Sequence, residues 1–385
     1  MPASLPGPTV GVVGGGQLGR MLGEAAAPLG IELVVLDPTP NAPAAQVATD
    51  QLVADFDDAD AIRDLAERSD FLTFEIELAD QETLAEISDE TGVPCHPDPA
   101  TLALIHDKLH QKEALADAGV PVPSFRRVDD AAELRSALHE LGTPAMLKAR
   151  TGGYDGRGNV PVESVDDAAA AMDAVGGPAM VEAFVDYERE ISVVAAKGDG
   201  EVATFPVGEN IHEAEILREM VVPSRSPDAV LAEAEQVGRD VLDLLDGRGV
   251  YAIELFETTD GAILVNEIAP RPHNSGHWSI EGAHTSQFEQ HLRAVVGWPL
   301  GATDLRAPTA TKNVLADGDD SRPAEVDGVS DVLATPGVNL HWYGKHEARP
   351  LRKMGHVTRV ATGDDESRED LLASARSLVE GLSFD

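Results

Sequence analysis

A chain of 385 residues is long enough for two or three domains, and an apolar share of 43% rules out a disordered protein. Its 68 acids against 29 bases give a formal charge of −39, which argues against a general nucleic-acid binder or a protein that docks on anionic membranes. No run nears the roughly 18 apolar residues of a membrane helix, Met1 to Val10 has no secretory pattern, and the lone Cys95 excludes an intrachain disulfide. A soluble cytoplasmic protein is expected. Seven of the 29 bases are Lys. Such an acidic, Lys-poor chain suggests adaptation to concentrated salt, where self-repulsion is screened. It also makes each retained Lys a candidate for a role.

In chain order, Thr9 to Val13 reads as a strand, Gln17 to Pro28 as a helix and Ile31 to Leu36 as a strand. Ala59 to Arg68 (helix), Phe71 to Ile76 (strand) and Gln81 to Asp89 (helix) continue the alternation. That order predicts a parallel sheet with crossover helices. Three prolines between Val93 and Pro99 mark a boundary, so residues 1–97 are expected to form a Rossmann-like domain. A larger α+β domain, 98–298, follows. It holds helices at Asp107 to Ala118 and Asp130 to Leu141, a strand at Ala145 to Ala149, and a glycine-rich loop from Thr151 to Gly158. Ala179 to Val185, Glu190 to Lys197 and Val202 to Val207 read as strands of one antiparallel sheet. Pro227 to Leu245 is a long helix. Val250 to Phe256 and Ile263 to Glu267 form a hairpin about Thr259-Asp260-Gly261, and Thr285 to Val296 is a helix. Residues 299–385 read as a small β-rich domain, with strands near 309–315, 339–343 and 356–361 and a final helix from Glu366 to Leu382.

Four clusters carry chemistry. Gly14-x-Gly16-x-x-Gly19 lies between a strand and a helix and could aim backbone N–H groups at an anion. With Asp37 ending the next strand, an NAD-linked oxidoreductase is one reading. Tight strand–helix packing is another, and the phosphate of a different small substrate is a third. Lys148, on a strand before the glycine loop, suits a triphosphate: a fixed charge beside a segment able to fold over it. Glu254 and Glu267 sit on adjacent strands of one hairpin, and two carboxylates on one face repel unless a cation such as Mg²⁺ lies between them; ordinary solvated acids are the plain alternative. The string from Pro270 to His277 beside them is rich in anion and hydroxyl binders. Finally Tyr343-Gly344-Lys345-His346, with Arg349, Arg352, Lys353 and His356, places a basic cluster in an acidic tail, fit for a phosphorylated substrate or for balancing neighbouring acids.

These strings together resemble the N5-carboxyaminoimidazole ribonucleotide synthetase family of ATP-grasp ligases. They run from Gly14-Gly15-Gly16-Gln17-Leu18-Gly19-Arg20-Met21, through Gly152 to Gly158, Asn266 to His277 and Ser286 to His291, to Tyr343-Gly344-Lys345 and Lys353-Met354-Gly355-His356. The resemblance covers about residues 9 to 361. It implies an ATP-grasp fold and carboxylation of aminoimidazole ribonucleotide by bicarbonate and Mg-ATP (Mn²⁺ able to replace Mg²⁺) through carboxyphosphate, in a site closed to water. It further implies a homodimer, while the acidic charge speaks against nucleic-acid and membrane partners.

Residue by residue, it implies phosphate contacts at Lys108 and Lys148 and a flap at Gly153, Tyr154, Asp155, Gly156, Arg157, Gly158 and Asn159. Adenine would be read at Glu182, Ala183, Phe184 and Val185, with further nucleotide contacts at Glu190 and His212. Glu254 and Glu267 would hold metal, with Asn266 by the γ-phosphate. The ribonucleotide and bicarbonate would meet Gln17, Glu77, Tyr154, Asp155, Arg271, His273, Asn274, Lys345, Arg352 and Lys353. Catalytic roles would fall to Arg271, Tyr154, Asp155 and His273. Glu75 and Glu77 compete for one role, and Leu78-Ala79-Asp80 departs from the family's usual string. An NAD-dependent oxidoreductase, a non-catalytic nucleotide-binding regulator and another ATP-grasp carboxylase are the competing readings.

Overall fold

The computed structural model describes residues 3–152, 158–318, 320–363 and 365–384. The first unit is a parallel sheet of order β3-β2-β1-β4, from β1 (Thr9–Val13), β2 (Glu32–Leu36), β3 (Asp50–Leu52) and β4 (Phe71–Phe74). Its central strands are buried almost throughout, as both-face-covered parallel strands must be. Helices α1 (Gln17–Ala26), α2 (Ala59–Glu67) and α3 (Gln81–Thr91) supply the crossovers. Asp58 and Asp80 cap the last two by accepting hydrogen bonds from first-turn amides.

The proline-rich boundary leads straight into a helix that periodicity did not predict, α4 (Pro99–His106). Asp98 caps it and Pro99 stands at its first position. Helix α5 (Lys108–Asp117) follows at once, capped by Asp107.

Two sheets then form separate lobes. A four-stranded sheet of order β5-β8-β6-β7 contains β5 (Phe125–Val128), β6 (Ala145–Ala149), β7 (Asn159–Val162) and β8 (Ala179–Ala183). Helices α6 (Ala131–Leu141) and α7 (Ala168–Val175) cover it, and its apolar core of Val128, Leu134, Leu147, Val181 and neighbours is its own. The expected sheet uniting 179–185 with the next two strands is therefore corrected: β8 pairs with β5 and β6, not with its successor.

The larger sheet has nine strands. Eight run in the order β14-β13-β9-β11-β12-β15-β20-β18, and β10 (Val202–Thr204) pairs beside β9. The strands are β9 (Tyr187–Lys197), β11 (Gly208–Glu213), β12 (Ile216–Val222), β13 (Gly249–Thr258), β14 (Ile263–Ala269), β15 (Thr309–Leu315), β18 (Val338–Trp342) and β20 (Lys353–Val360). Two-residue strands make small side ladders: β16 (Arg322–Pro323) with β19 (Glu347–Ala348), and β17 (Val326–Asp327) with β21 (Ser383–Phe384). Helix α8 (Asp228–Asp243) packs on β9, β13 and β14 over a core that also takes in Ile105 and Leu115 from α4 and α5. Short α9 (Ser279–Gly282) and α10 (Gln287–Val295) fasten this lobe to the first sheet: Phe288, Leu292 and Val295 join the core of β1, β2 and α1. Helices α11 (Val329–Ala334) and α12 (Arg368–Glu380) complete the C-terminal region. Its strands do not stand apart. The β12–β15 ladder, Glu219↔Lys312 to Val222↔Thr309, joins them to the central sheet.

Candidate functional site: an acid pair under three lysines

The glycine loop after β1 is already occupied. Gly15 N–H donates to Asp37 Oδ2 at 2.9 Å, and Gly16 N–H donates to Glu75 Oε1 at 2.6 Å. Both carboxylates are buried. Gly14 has φ +107°, and a Cβ there would lie 2.7 Å from the Glu75 side chain, so the motif exists to let this acid in. Burial pushes Glu75 up to about 7, against the pull of the Gly16 amide and Arg271. Amides capped by two internal acids cannot take a pyrophosphate as well. The NAD-oxidoreductase reading falls on this point. The two neighbouring acids also part company: Glu75 turns to the loop, while Glu77 forms an ion pair with Arg271 at 2.6 Å.

The hairpin of β13 and β14 sets Glu254 directly opposite Glu267, and Glu254 opposite Ser192 of β9. Cross-strand partners share a face, so both acids project on one side. Burial, then the neighbouring carboxylates Glu267 and Glu190, raise Glu254 to about 7. About half of the Glu267 side chain is open to the cleft, yet desolvation still works against its carboxylate; Lys108, then Lys148 and His273, outweigh that and hold it near 2. Lys108 Nζ donates to Glu267 Oε1 at 2.8 Å. Along the same face, Glu190 pairs with His212 at 3.0 Å and accepts from Tyr187 Oη, whose ring stacks on Phe256 at 5.0 Å. Asn210 accepts from Ser192 Oγ, while its own buried Nδ2 has no partner among the described residues.

Lys148 on β6 faces the pair from the other lobe. It donates to Asn266 Oδ1 at 3.2 Å and forms an ion pair with Glu182 of β8 at 2.5 Å. Asp107 fixes the approach: it caps α5 and grips Arg150, whose carbonyl accepts from Lys108 N–H at 2.9 Å. A third lysine, Lys112, lies one helical turn beyond Lys108 and meets Glu182 at 2.8 Å. Helical spacing already puts it on the buried face with Leu109 and Leu115, an unusual place for one of so few lysines; what it pairs with was not legible. Of the adenine segment, Glu182 is buried and Phe184 exposed; Ala183 N–H is held by Ser124 O. Gly158 and Asn159 border β6, where Ala149 N–H donates to Gly158 O and Lys148 pairs with Asn159. Gly153, Tyr154, Asp155, Gly156 and Arg157 lie outside the described residues.

Beyond the acid pair, His273 Nε2 is 3.9 Å from Glu254, and its main-chain N–H donates to Gln287. The Asn274 amide is buried with both polar atoms unpaired among the described residues. A buried amide without partners costs roughly 1–3 kcal/mol, so a bound molecule there would stabilise it. From the C-terminal region Lys345 Nζ reaches Gln17 Oε1 at 2.9 Å and Lys353 O at 2.6 Å. Gly344 (φ +74°) leaves no room for a Cβ between Arg20 and Gln46. Arg352 donates to Glu347 O. The Lys353 charge is felt at Glu254, which it favours as a carboxylate.

Three family models match along the chain: a ribonucleotide synthetase preATP-grasp domain over 8–106, an ATP-grasp domain over 113–288, and a phosphoribosylaminoimidazole carboxylase C-terminal domain over 309–370. The N5-carboxyaminoimidazole ribonucleotide synthase of Brucella melitensis is 42% identical over 359 residues, 92% of this chain and 97% of that one. The crystal structure of the Thermotoga maritima N5-carboxyaminoimidazole ribonucleotide synthetase superposes with a TM-score of 0.87 at 40% identity, covering 98% of this chain and 99% of that one. The Aspergillus clavatus N5-carboxyaminoimidazole synthase, solved with ADP and 5-aminoimidazole ribonucleotide, gives 0.89 at 34% identity over 97% and 98%. No helix among the described residues is long and apolar enough to cross a membrane. With such identity sustained over nearly its whole length, the chain belongs to the N5-carboxyaminoimidazole ribonucleotide synthase family of ATP-grasp ligases.

Proposed function

We infer that this chain carboxylates the exocyclic amine of 5-aminoimidazole ribonucleotide with bicarbonate, converting ATP to ADP and phosphate, as a step of purine synthesis. The observation that carries the site reading is the direct opposition of Glu254 and Glu267 on one hairpin, facing Lys108 and Lys148.

The donor set fits Mg²⁺. Among the described residues no group of three or more His, Cys, Asp or Glu could hold a metal. Mg²⁺ needs no such cage, since one or two carboxylates complete its shell with phosphate oxygens and water. Glu254 and Glu267 would hold the ion; bound there, it would neutralise phosphate charge as the γ-phosphoryl group moves. The chain's own groups do the rest. Lys108 and Lys148 orient phosphate oxygens. Glu190, braced by Tyr187 and His212, accepts from the ribose. Glu182 to Val185 meet the adenine. Arg271, poised against Glu77, and His273 stabilise the carboxyphosphate formed when bicarbonate attacks the γ-phosphorus and ADP leaves; loss of phosphate then frees CO₂, which the exocyclic amine attacks, giving up a proton to form the carbamate. Gln17, Asn274, Lys345, Arg352 and Lys353 hold the ribonucleotide, and Tyr154 and Asp155 of the flap exclude water.

The test is ATP hydrolysis in the presence of Mg²⁺: stimulation by aminoimidazole ribonucleotide and bicarbonate together is expected, and its absence would overturn the reading. Arg352→Ala should raise KM for the ribonucleotide about tenfold or more, as expected for a lost charged hydrogen bond, while KM for ATP holds.

The divisions at 97 and 298, a cytoplasmic location and a homodimer belong to the same proposal; light scattering decides the last. The charge of −39 supports salt adaptation, and full stability at low ionic strength would refute it.

A further inference from the structure

Lys112 is a cation the reaction does not need to touch. Its side chain is 2% exposed, and its Nζ sits 2.8 Å from Glu182 Oε1 and donates to the carbonyl of Val265 at 2.8 Å. Burying a lysine is costly unless its charge is matched. Burial drives its pKa down to about 8, with Glu182 pulling the other way and Lys148 adding to the depression. Glu182 is nearly as buried, and it is held near 2 because Lys148 and Lys112 together outweigh its desolvation. One carboxylate thus serves two ammonium groups.

The two ends of this bridge belong to different lobes. Lys112 rides on α5, whose Leu115 is part of the core beneath the nine-stranded sheet, and Val265 lies in β14 of that sheet. Glu182 lies on β8 and Lys148 on β6, within the four-stranded sheet that has a core of its own. The neighbours Lys108 and Asn266 hold Glu267 and Lys148, on the cleft side of the bridge.

We propose that Lys112 is a positioning residue, resting on the ATP-ligase reading above: by clamping Glu182 from the body of the molecule it fixes the small lobe and aims Lys148 at the nucleotide phosphates. Without it, Lys148 is the remaining ion-pair partner of Glu182 among the described residues, and that lysine is drawn back from the phosphates.

Titration of Mg-ADP by calorimetry on parent, Lys112→Met, Glu182→Gln and the double variant tests this. Lys112→Met should weaken Mg-ADP about tenfold, a loss in keeping with a buried, charge-assisted contact, with KM for the ribonucleotide within about twofold of parent. In the Glu182→Gln background the same substitution should cost little, because the two act as one unit. Unchanged Mg-ADP affinity in Lys112→Met, or equal losses in both backgrounds, would overturn the proposal. If Lys112→Met does not fold, Lys112→Gln decides: it can keep a donor for the Val265 carbonyl but carries no charge for Glu182, so it should lose Mg-ADP affinity by a similar factor, and parent-like binding would overturn the assignment. Failure of the parent to bind Mg-ADP would instead sink the ligase reading itself.

Discussion

The glycine loop after β1 and the cleft between the lobes both carry sequence signals for a nucleotide phosphate, and they are built differently. At the glycine loop after β1, the N–H groups of Gly15 and Gly16 end on Asp37 and Glu75, so the helix N-terminus meets negative charge from within the fold. In the cleft between the lobes, Lys108 stands against Glu267 and Lys148 against Asn266 and Glu182, so ammonium groups rather than carboxylates meet what enters between the lobes. A glycine motif reports that backbone must come close to something. The acids that close on it say whether that something is a ligand or the protein itself.

Substitutions can break this contrast, beginning with the most severe. Glu267→Gln removes a carboxylate from the proposed cation site without touching a core contact. Turnover should fall by roughly three orders of magnitude while the melting temperature stays near parental; near-normal kcat would refute the metal assignment. Lys148→Met should weaken ATP about ten- to a hundredfold by equilibrium titration, with no NAD binding in either protein. Glu75→Ala should do the reverse. It leaves the Gly16 amide without an acceptor and should cost about 1–3 kcal/mol in chemical denaturation, with the ATP dissociation constant unmoved; a large loss of ATP affinity would show that the loop is part of the nucleotide site after all.

The mildest effect is on acid stability. The folded pKa of Glu182 is about 2, below the roughly 4.3 of an unfolded glutamate, so the native state binds fewer protons than the unfolded chain. Its contribution is complete above about pH 4.3 and is lost as pH falls toward 2. Glu182→Gln should flatten the stability profile over that window, whereas a parallel profile would mean that the ion pair contributes nothing.

Local pattern made much of this visible. The alternating first sheet, the hairpin and its two acids, and the capped helix at Lys108 all follow from periodicity and turn residues. The order of strands does not. Ala179–Ala183 looks like any short apolar strand, and nothing local says that it pairs with β5 and β6 rather than with β9. Helix α4 hid behind prolines that mark its start rather than a break. Lys112 falls in line with Leu109 and Leu115 on its helix, but its role was hidden because its partner, Glu182, lies 70 positions away and arrives only when the lobes meet. Glu75 and Glu77 could not be told apart for the same reason: Gly16 and Arg271 are both remote in sequence.

The unbroken ladder from β14 to β18 carries a geometric corollary. Drawn flat, strands β13 and β20 would lie five spacings apart, about 24 Å, yet the ammonium group at the head of β20 is sensed by the carboxyl on β13. Twisting and coiling, general in sheets of this many strands, brings them together, and this curvature sets the span between the paired acids and the basic cluster. Irregularities at Ile211/His212 and Val314/Leu315 are where such a surface bends. Straightening either one would lengthen the reach from Glu254 to Lys353.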